Sequence, residues 1–361
     1  LFVELSEMGS AIIADPAMRK MRDTGAELYF VIFKKNAPSL RLLGTVPEEN
    51  VFHIEENGLF PLAFSTLRFL LWTRRNHIDT VIDLELFSRY SALLTGLSGA
   101  NNRIGYHAFH NEGLYRGELL THKVAYNAHM HIARNFVALI NAALAEKPEL
   151  PYSKSLVGDE EIKLAKLELG EDELETMRAR VREDYADYEP TKQRVVLINP
   201  NASELLIQRR WMPERYAELM RRILATYDDV LVLITGAPAE REEADALKAE
   251  VGHDRCINFA GRVKFAELPA LYTISTLMVS NDSGPGHFSA VTEMPSFVIF
   301  GPETPALYGS LGNSTAIYAG LACSPCVSAA NHRKTPCHDN VCLQVITVDQ
   351  VFDTVKPALG G

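Results

Sequence analysis

The sequence predicts an α/β protein built as two parallel-sheet domains, and three observations lead there. The chain has 361 residues and is 47% apolar, enough for two cores of ordinary size. Short apolar runs alternate with helical patterns in both halves, the order of a parallel sheet with crossover helices. Between the halves, Pro148, Pro151 and a densely charged stretch over 160–187 break the alternation.

In the first half, apolar runs at 1–5, 27–33 and 80–84 read as strands. Helical patterns cover 11 to about 23, 88–97 and about 129–145. They define a domain over 1–150, followed by a charged linker over 151–190 with a helix near 171–185. The second half is clearer. Strands are predicted at 194–198, 230–235, around Ile257, at 277–280 and at 296–300, with helices at 213–226, 239–251, 265–274 and 286–293. This gives a domain over 191–347, and a final segment, 348–361, is expected to form a helix that returns to the first domain.

The net charge of −10 argues against nucleic acid as a partner, because phosphate binding favours a basic surface. There is no signal-peptide pattern and no run of eighteen apolar residues, which points to a soluble, cytoplasmic protein. Four of the five cysteines follow Cys323-x2-Cys326-x10-Cys337-x4-Cys342. That spacing suits a structural zinc held by thiolates, or reduced cysteines fixing a loop by packing. Cys256, just before a strand, reads as buried.

Open sheets of this kind bind ligands beyond the carboxyl ends of their strands, and the second half carries its chemistry there. In Val279-Ser280-Asn281-Asp282-Ser283-Gly284-Pro285-Gly286-His287 a turn joins a strand to a helix, with Asp282 or Ser283 as the expected N-cap. Free backbone N–H groups, the helix dipole and two glycines make room for phosphate or sugar hydroxyls; the same residues also make an ordinary cap and turn. Asn199-Pro200-Asn201-Ala202-Ser203 and Gln208-Arg209-Arg210-Trp211-Met212-Pro213 flank the preceding strand end. Arginine suits bidentate phosphate recognition, although the two arginines also read as a solvated pair beside an exposed Trp. Glu240, in the loop after the next strand, can read a ribose or favour a first helical turn; His287 can donate to phosphate. No Asp-x-Asp triplet, Gly-x-Gly-x-x-Gly opening or Gly-Lys-Ser/Thr loop is present, which points away from cation-held diphosphate, dinucleotide and P-loop chemistry.

With these residues in view, the chain resembles glycosyltransferase family nine, the bacterial lipopolysaccharide heptosyltransferases. The resemblance is strongest in Asn281-Asp282-Ser283-Gly284-Pro285-Gly286-His287 and Phe300-Gly301-Pro302-Glu303-Thr304-Pro305. Next come 199–203 with Arg209-Arg210-Trp211, Leu5-Ser6-Glu7-Met8-Gly9-Ser10, Arg103-Ile104-Gly105-Tyr106 and the cysteine pattern. It implies a GT-B fold, two Rossmann-like domains facing across a cleft. It also implies inverting, metal-independent transfer of a sugar, heptose from ADP-heptose above all, to a lipopolysaccharide-core saccharide. By the same resemblance Ser203 and Arg209 meet the donor diphosphate, Arg209 standing where the family usually has Lys. Glu240 reads the ribose, and Asp282, Ser283, Gly284 and His287 hold sugar and phosphates.

One departure concerns the base. The family usually has Gly-Asp where this chain has Gly9-Ser10, and a Ser hydroxyl is a poor base at neutral pH. Glu7, three residues earlier, is the expected substitute; Asp15 reads as a surface residue. An acceptor of this kind implies peripheral contact with the inner face of the inner membrane. Residues 58–75, aromatic, apolar and closed by Arg74 and Arg75, suit an interfacial helix as well as a buried one. The strip over 106–123, with His107, His110, Arg116, His122 and Lys123, is a second basic candidate. Two rival functions share the fold: a nucleotide-sugar epimerase, which needs two acid/base groups and no acceptor, and a non-catalytic sugar-nucleotide or glycolipid binder that lost its base at Ser10.

Overall fold

The computed structural model describes residues 1–86, 88–107, 118–202, 204–328, 331 and 333–360. The chain divides into two units, Leu1–Ala165 and Lys166–Gly361, so the division falls inside the segment expected to be a linker.

The first unit has a six-stranded parallel sheet of β1 (Phe2–Val3), β2 (Phe30–Phe33), β3 (Val51–Ile54), β4 (Thr80–Asp83), β5 (Asn102–Tyr106) and β6 (His122–Val124). Its spatial order is β3-β2-β1-β4-β5-β6. The connections carry α1 (Met8–Ile13), α2 (Asp15–Arg22), α3 (Leu59–Arg75) and α4 (Arg89–Leu97), and α5 (Ile132–Leu144) follows β6. The helix expected over 11–23 is broken at Ala14, where Pro16 enters the first turn of α2. Strands β3, β5 and β6 were not anticipated. Each carries a polar, exposed or half-exposed residue, as at His53, Asn102 and Lys123, which weakens the apolar-run signal.

The second unit repeats the plan. It has β7 (Arg194–Asn199), β8 (Val230–Ile234), β9 (Cys256–Asn258), β10 (Leu277–Asn281), β11 (Ser296–Phe300) and β12 (Ser314–Tyr318), all parallel. The order is β12-β11-β10-β7-β8-β9. Strands β8, β10 and β11 are buried throughout, which is why they read as continuous apolar runs rather than alternating ones. Around the sheet lie α6 (Glu171–Asp184), α7 (Pro213–Thr226), α8 (Arg241–Val251), α9 (Leu268–Thr273), α10 (Gly284–Phe288), α11 (Pro305–Tyr308), α12 (Val341–Gln344) and α13 (Val348–Val355). Helix α7 opens on Pro213 and buries Tyr216, Leu219, Met220 and Ile223, one face at helical spacing. Helix α13 buries Val348, Val351, Phe352 and Val355 in the core of this same unit, where it packs on α7. The C-terminal helix anticipated as a return to the first domain is thus part of the second unit's own core.

In each unit the strand order reverses once: between β1 and β4 in the first, and between β7 and β10 in the second. Connections leave in opposite directions from such a point, so a crevice opens beyond the carboxyl ends of the two central strands. Residues after β1 and β4 meet at one crevice, and residues after β7 and β10 at the other.

Candidate functional site

At the second unit's crevice the strand-end loops are tied together by Asn281, the last residue of β10. Its Oδ1 accepts from Trp211 N at 2.9 Å and from the Tyr216 hydroxyl at 3.0 Å, and its Nδ2 donates to Pro200 O at 2.7 Å. Ser283 Oγ donates to Asn281 O at 3.2 Å and to Asn201 O at 3.4 Å. Trp211, exposed in the alternative reading of the arginine pair, is 1% exposed and donates its indole N–H to Ile346 O. The loop after β8 joins the same group: a side chain at Gly236 would lie 2.7 Å from Glu240 Oε2 and 2.9 Å from Asn201 Nδ2.

The ionic centre of this loop cluster is a buried trio. Arg209 Nη2 donates to Glu303 Oε2, and Arg209 Nε lies 3.6 Å from Asp282 Oδ2. Asp282 is 3% exposed and Glu303 is 2% exposed, so Arg209 is not half of a solvated pair. Asp282 N donates to Ile299 O at 2.9 Å, which sets this residue beside the end of β11 and brings its carboxyl within hydrogen-bonding reach of Glu303. Burial pushes the Glu303 carboxyl up to about 8, Arg209 opposes the rise, and the neighbouring Asp282 adds to it. Burial raises Asp282 as well. Burial works against the Arg209 charge, but the two carboxylates outweigh it and raise its pKa.

Other anticipated residues take different parts. Ser203 lies outside the described residues. Ser283 is the N-cap of α10, as foreseen, yet makes no side-chain cap bond. The helix it opens has five residues in place of the eight expected, and a 3-10 turn, Ser289–Val291, follows. So short a helix contributes little dipole. Gly284 is needed internally: a Cβ there would lie 2.7 Å from the Phe288 ring. His287 is half-buried on α10. Glu240 Oε2 accepts from Ala237 N at 2.6 Å, a use within its own turn that leaves Oε1 for a ligand. In the sequence Glu303 carries a single signal, a carboxylate three residues past the end of a buried strand.

Among the described residues no three His, Cys, Asp or Glu side chains are grouped to hold a metal ion, and all five cysteines are free. The four thiols of the anticipated quartet differ in their surroundings. Cys323 is exposed on a loop and Cys342 is buried in α12, while Cys326 Sγ contacts Thr335 Oγ1 at 3.4 Å and Cys337 Sγ contacts Asp339 Oδ1 at 3.3 Å. Burial raises the Cys342 thiol pKa, and the other three thiols reinforce the rise.

At the first unit's crevice, Glu7 is the N-cap of α1 and its Oε2 accepts from Ser10 Oγ at 3.2 Å. Glu85, just past β4, is 8% exposed, and its Oε1 accepts from Leu5 N, Ser6 N and Ser6 Oγ at 2.8, 3.1 and 2.6 Å. It fixes the turn that presents Glu7. Asp15, anticipated at the surface, is fully buried and accepts from Arg19 Nε at 2.8 Å and from Thr45 Oγ1. Within 106–123, His122 is buried and Lys123 pairs with Glu118, while His110 and Arg116 lie outside the described residues.

Two parallel sheets, each with one reversal and polar loops beyond it, define a GT-B protein, and solved structures share that fold. The ADP-heptose lipopolysaccharide heptosyltransferase II of E. coli matches with a TM-score of 0.74 at 18% identity, over 99% of this chain and 98% of that one. E. coli heptosyltransferase WaaC with ADP matches at 0.66 and 17% identity, over 99% and 98%. The sequence model for glycosyltransferase family 9 (heptosyltransferase) matches residues 68–335, and the chain belongs to that family. Among curated relatives, lipooligosaccharide heptosyltransferase 2 of Campylobacter jejuni is 24% identical over 172 residues, 46% of this chain and 51% of that protein. The lipopolysaccharide core heptosyltransferase OpsX of Haemophilus influenzae is 29% identical over 127 residues, 34% of this chain and 35% of that protein. The aligned stretches therefore span about a third to a half of these relatives.

Proposed function

We propose that the protein transfers a heptose from ADP-heptose to a lipopolysaccharide-type saccharide, with inversion and without a catalytic metal. The observation that carries this reading is the gathering of residues 199–202, 206–212, 236–240, 281–287 and 300–304 beyond the strand reversal of the second sheet, all within the family match. WaaC has been solved with ADP and with ADP-2-deoxy-2-fluoro heptose, which makes ADP-heptose the first donor to test.

In this reading Arg209 faces the diphosphate, Asp282 and Ser283 accept from or donate to sugar hydroxyls, and Glu240 meets the ribose. Glu7 takes the proton of the acceptor hydroxyl as its oxygen attacks the anomeric carbon, and the bond from that carbon to the β-phosphate oxygen breaks to release ADP. The acceptor side is carried by the first unit. There α3 turns Phe60, Phe64, Leu67 and Leu71 outward beside Arg68 and Arg75, and we place that face on an anionic lipid surface. The helix is not buried on all sides, as a domain helix of this composition would be. No helix among the described residues is long and apolar enough to cross a membrane.

The reading is tested by thermal shift with ADP-, GDP- and UDP-sugars on the natural protein and on Asp282→Ala, followed by product analysis with a core saccharide. Selective stabilisation by the ADP-sugar, weakened in the variant, is expected. Stabilisation by none of the three would remove the donor assignment, and donor turnover without acceptor would favour the epimerase.

A further inference from the structure

Arg209, Asp282 and Glu303 leave three buried polar atoms in ionic contact but without a hydrogen bond. Arg209 Nε, Asp282 Oδ2 and Glu303 Oε1 have no hydrogen-bond partner among the described residues. The two carboxyl groups lie within hydrogen-bonding reach of each other, a contact that two carboxylates cannot exploit because neither has a donor. One proton between them resolves both problems. It gives the carboxyl pair a donor, and it reduces the charge facing Arg209 from two negatives to one.

The charge matters because this is where a diphosphate would arrive. With both carboxylates ionised, Arg209 is outnumbered and the buried trio carries a net negative charge, which opposes an anion at short range and low dielectric. With one shared proton the trio is neutral, and Arg209 keeps an N–H free. Among the described residues, the other groups facing the trio are Arg333, whose Nε is 3.8 Å from Glu303 Oε1, and Tyr308 of α11, which Arg333 overlies and which acts on Arg209. Arg333 is half-buried, so its compensation is screened by solvent.

We propose that Glu303 is a positioning residue of the donor site: it grips Arg209 and shares one proton with Asp282, so that a nucleoside diphosphate binds while that proton is retained. This rests on the donor-site reading above. The sign follows from the direction of the Glu303 shift. The shared proton is held below about pH 8 and lost above it, so diphosphate affinity is full below that point and falls as pH rises through it.

The test is ADP affinity of the whole protein, by calorimetry, between about pH 7 and pH 9.5, for the natural chain and for Glu303→Gln, with the fold checked by circular dichroism. Natural affinity should fall by about tenfold per pH unit above the break, with proton uptake visible as a dependence on buffer ionisation enthalpy. Glu303→Gln, which cannot ionise, should bind ADP with little pH dependence and no uptake. Natural protein that binds ADP equally at all pH values without proton uptake overturns the proposal and leaves the donor site standing, and this arm needs no variant. A break that survives in Glu303→Gln also overturns it. Failure of the natural protein to bind ADP at any pH overturns the donor-site reading itself, and the proposal with it.

Discussion

At Glu7 a carboxylate oxygen 3.2 Å from the Ser10 hydroxyl sits on the first turn beyond the first sheet's strand reversal, the position from which a side chain reaches a crevice ligand. A carboxylate can accept the acceptor's proton; the Ser10 hydroxyl can only orient that carboxylate. Glu7→Gln should therefore lower turnover by about a hundredfold to ten-thousandfold while ADP affinity stays unchanged. Adding Ser10→Asp to that variant should restore part of the rate. Steady-state assay with ADP-heptose and a core saccharide decides the matter: full activity in Glu7→Gln would place the base elsewhere, and activity gained by Ser10→Asp alone from an inactive natural chain would favour the binding-protein reading. Glu85 has the opposite character. Burial raises its pKa, and its Oε1 is spent on three donors from Leu5 and Ser6, so it builds the turn. In the sequence Glu7, Glu85, Asp15 and Glu303 were four similar carboxylates. Their roles differ by burial and by partners up to 94 residues away, which no local pattern encodes.

Among the elements, α3 shows most clearly where periodicity stops being informative. The spacing method finds a core face by contrast with a polar one, and residues 59–75 are apolar on nearly every side. Ser65, Phe69 and Thr73 face inward, whereas Phe60 is 90% exposed, Phe64 64% and Leu67 62%. The same effect explains the opposite success in the second sheet, where 213–226 and 296–300 agree with the structure residue for residue because each has a clear face or sits wholly in the core. The outward face of α3 carries Arg68, Arg74 and Arg75 and no acidic residue, in a chain of net charge −10, which suits an anionic bilayer. Replacing Phe60, Phe64 and Leu67 together by Ser should cut co-sedimentation with phosphatidylglycerol vesicles by about tenfold or more, since each removes roughly 1 kcal/mol of apolar transfer. Thermal stability should hold, because the three side chains touch little of the core. Unchanged sedimentation would remove the lipid surface from the acceptor reading.

At the scale of the whole molecule, the chain uses one plan twice and assigns the two copies different chemistry. Both sheets reverse once, and both crevices carry carboxylates, but buried guanidinium chemistry is found at the second, where Arg209 is held by Asp282 and Glu303. The loops there are locked by Asn281 to Trp211, Tyr216 and Pro200, so a ligand that binds them has preformed contacts to complete and little chain to order. ADP should then act on the second unit directly. In hydrogen exchange, the amides following β7, β8, β10 and β11 should gain protection on ADP binding, and those of β1 to β6 should stay as they were. At about a hundredfold excess over Kd, the slowest-exchanging amides of the second core should be stabilised by roughly 2.7 kcal/mol, the value mass action sets for a ligand that binds only the folded form. Protection centred on the loop after β1 would assign the nucleotide to the first crevice. Glu7 would then lie at the donor, and the division of labour between the two copies would be the reverse of the one argued from Arg209.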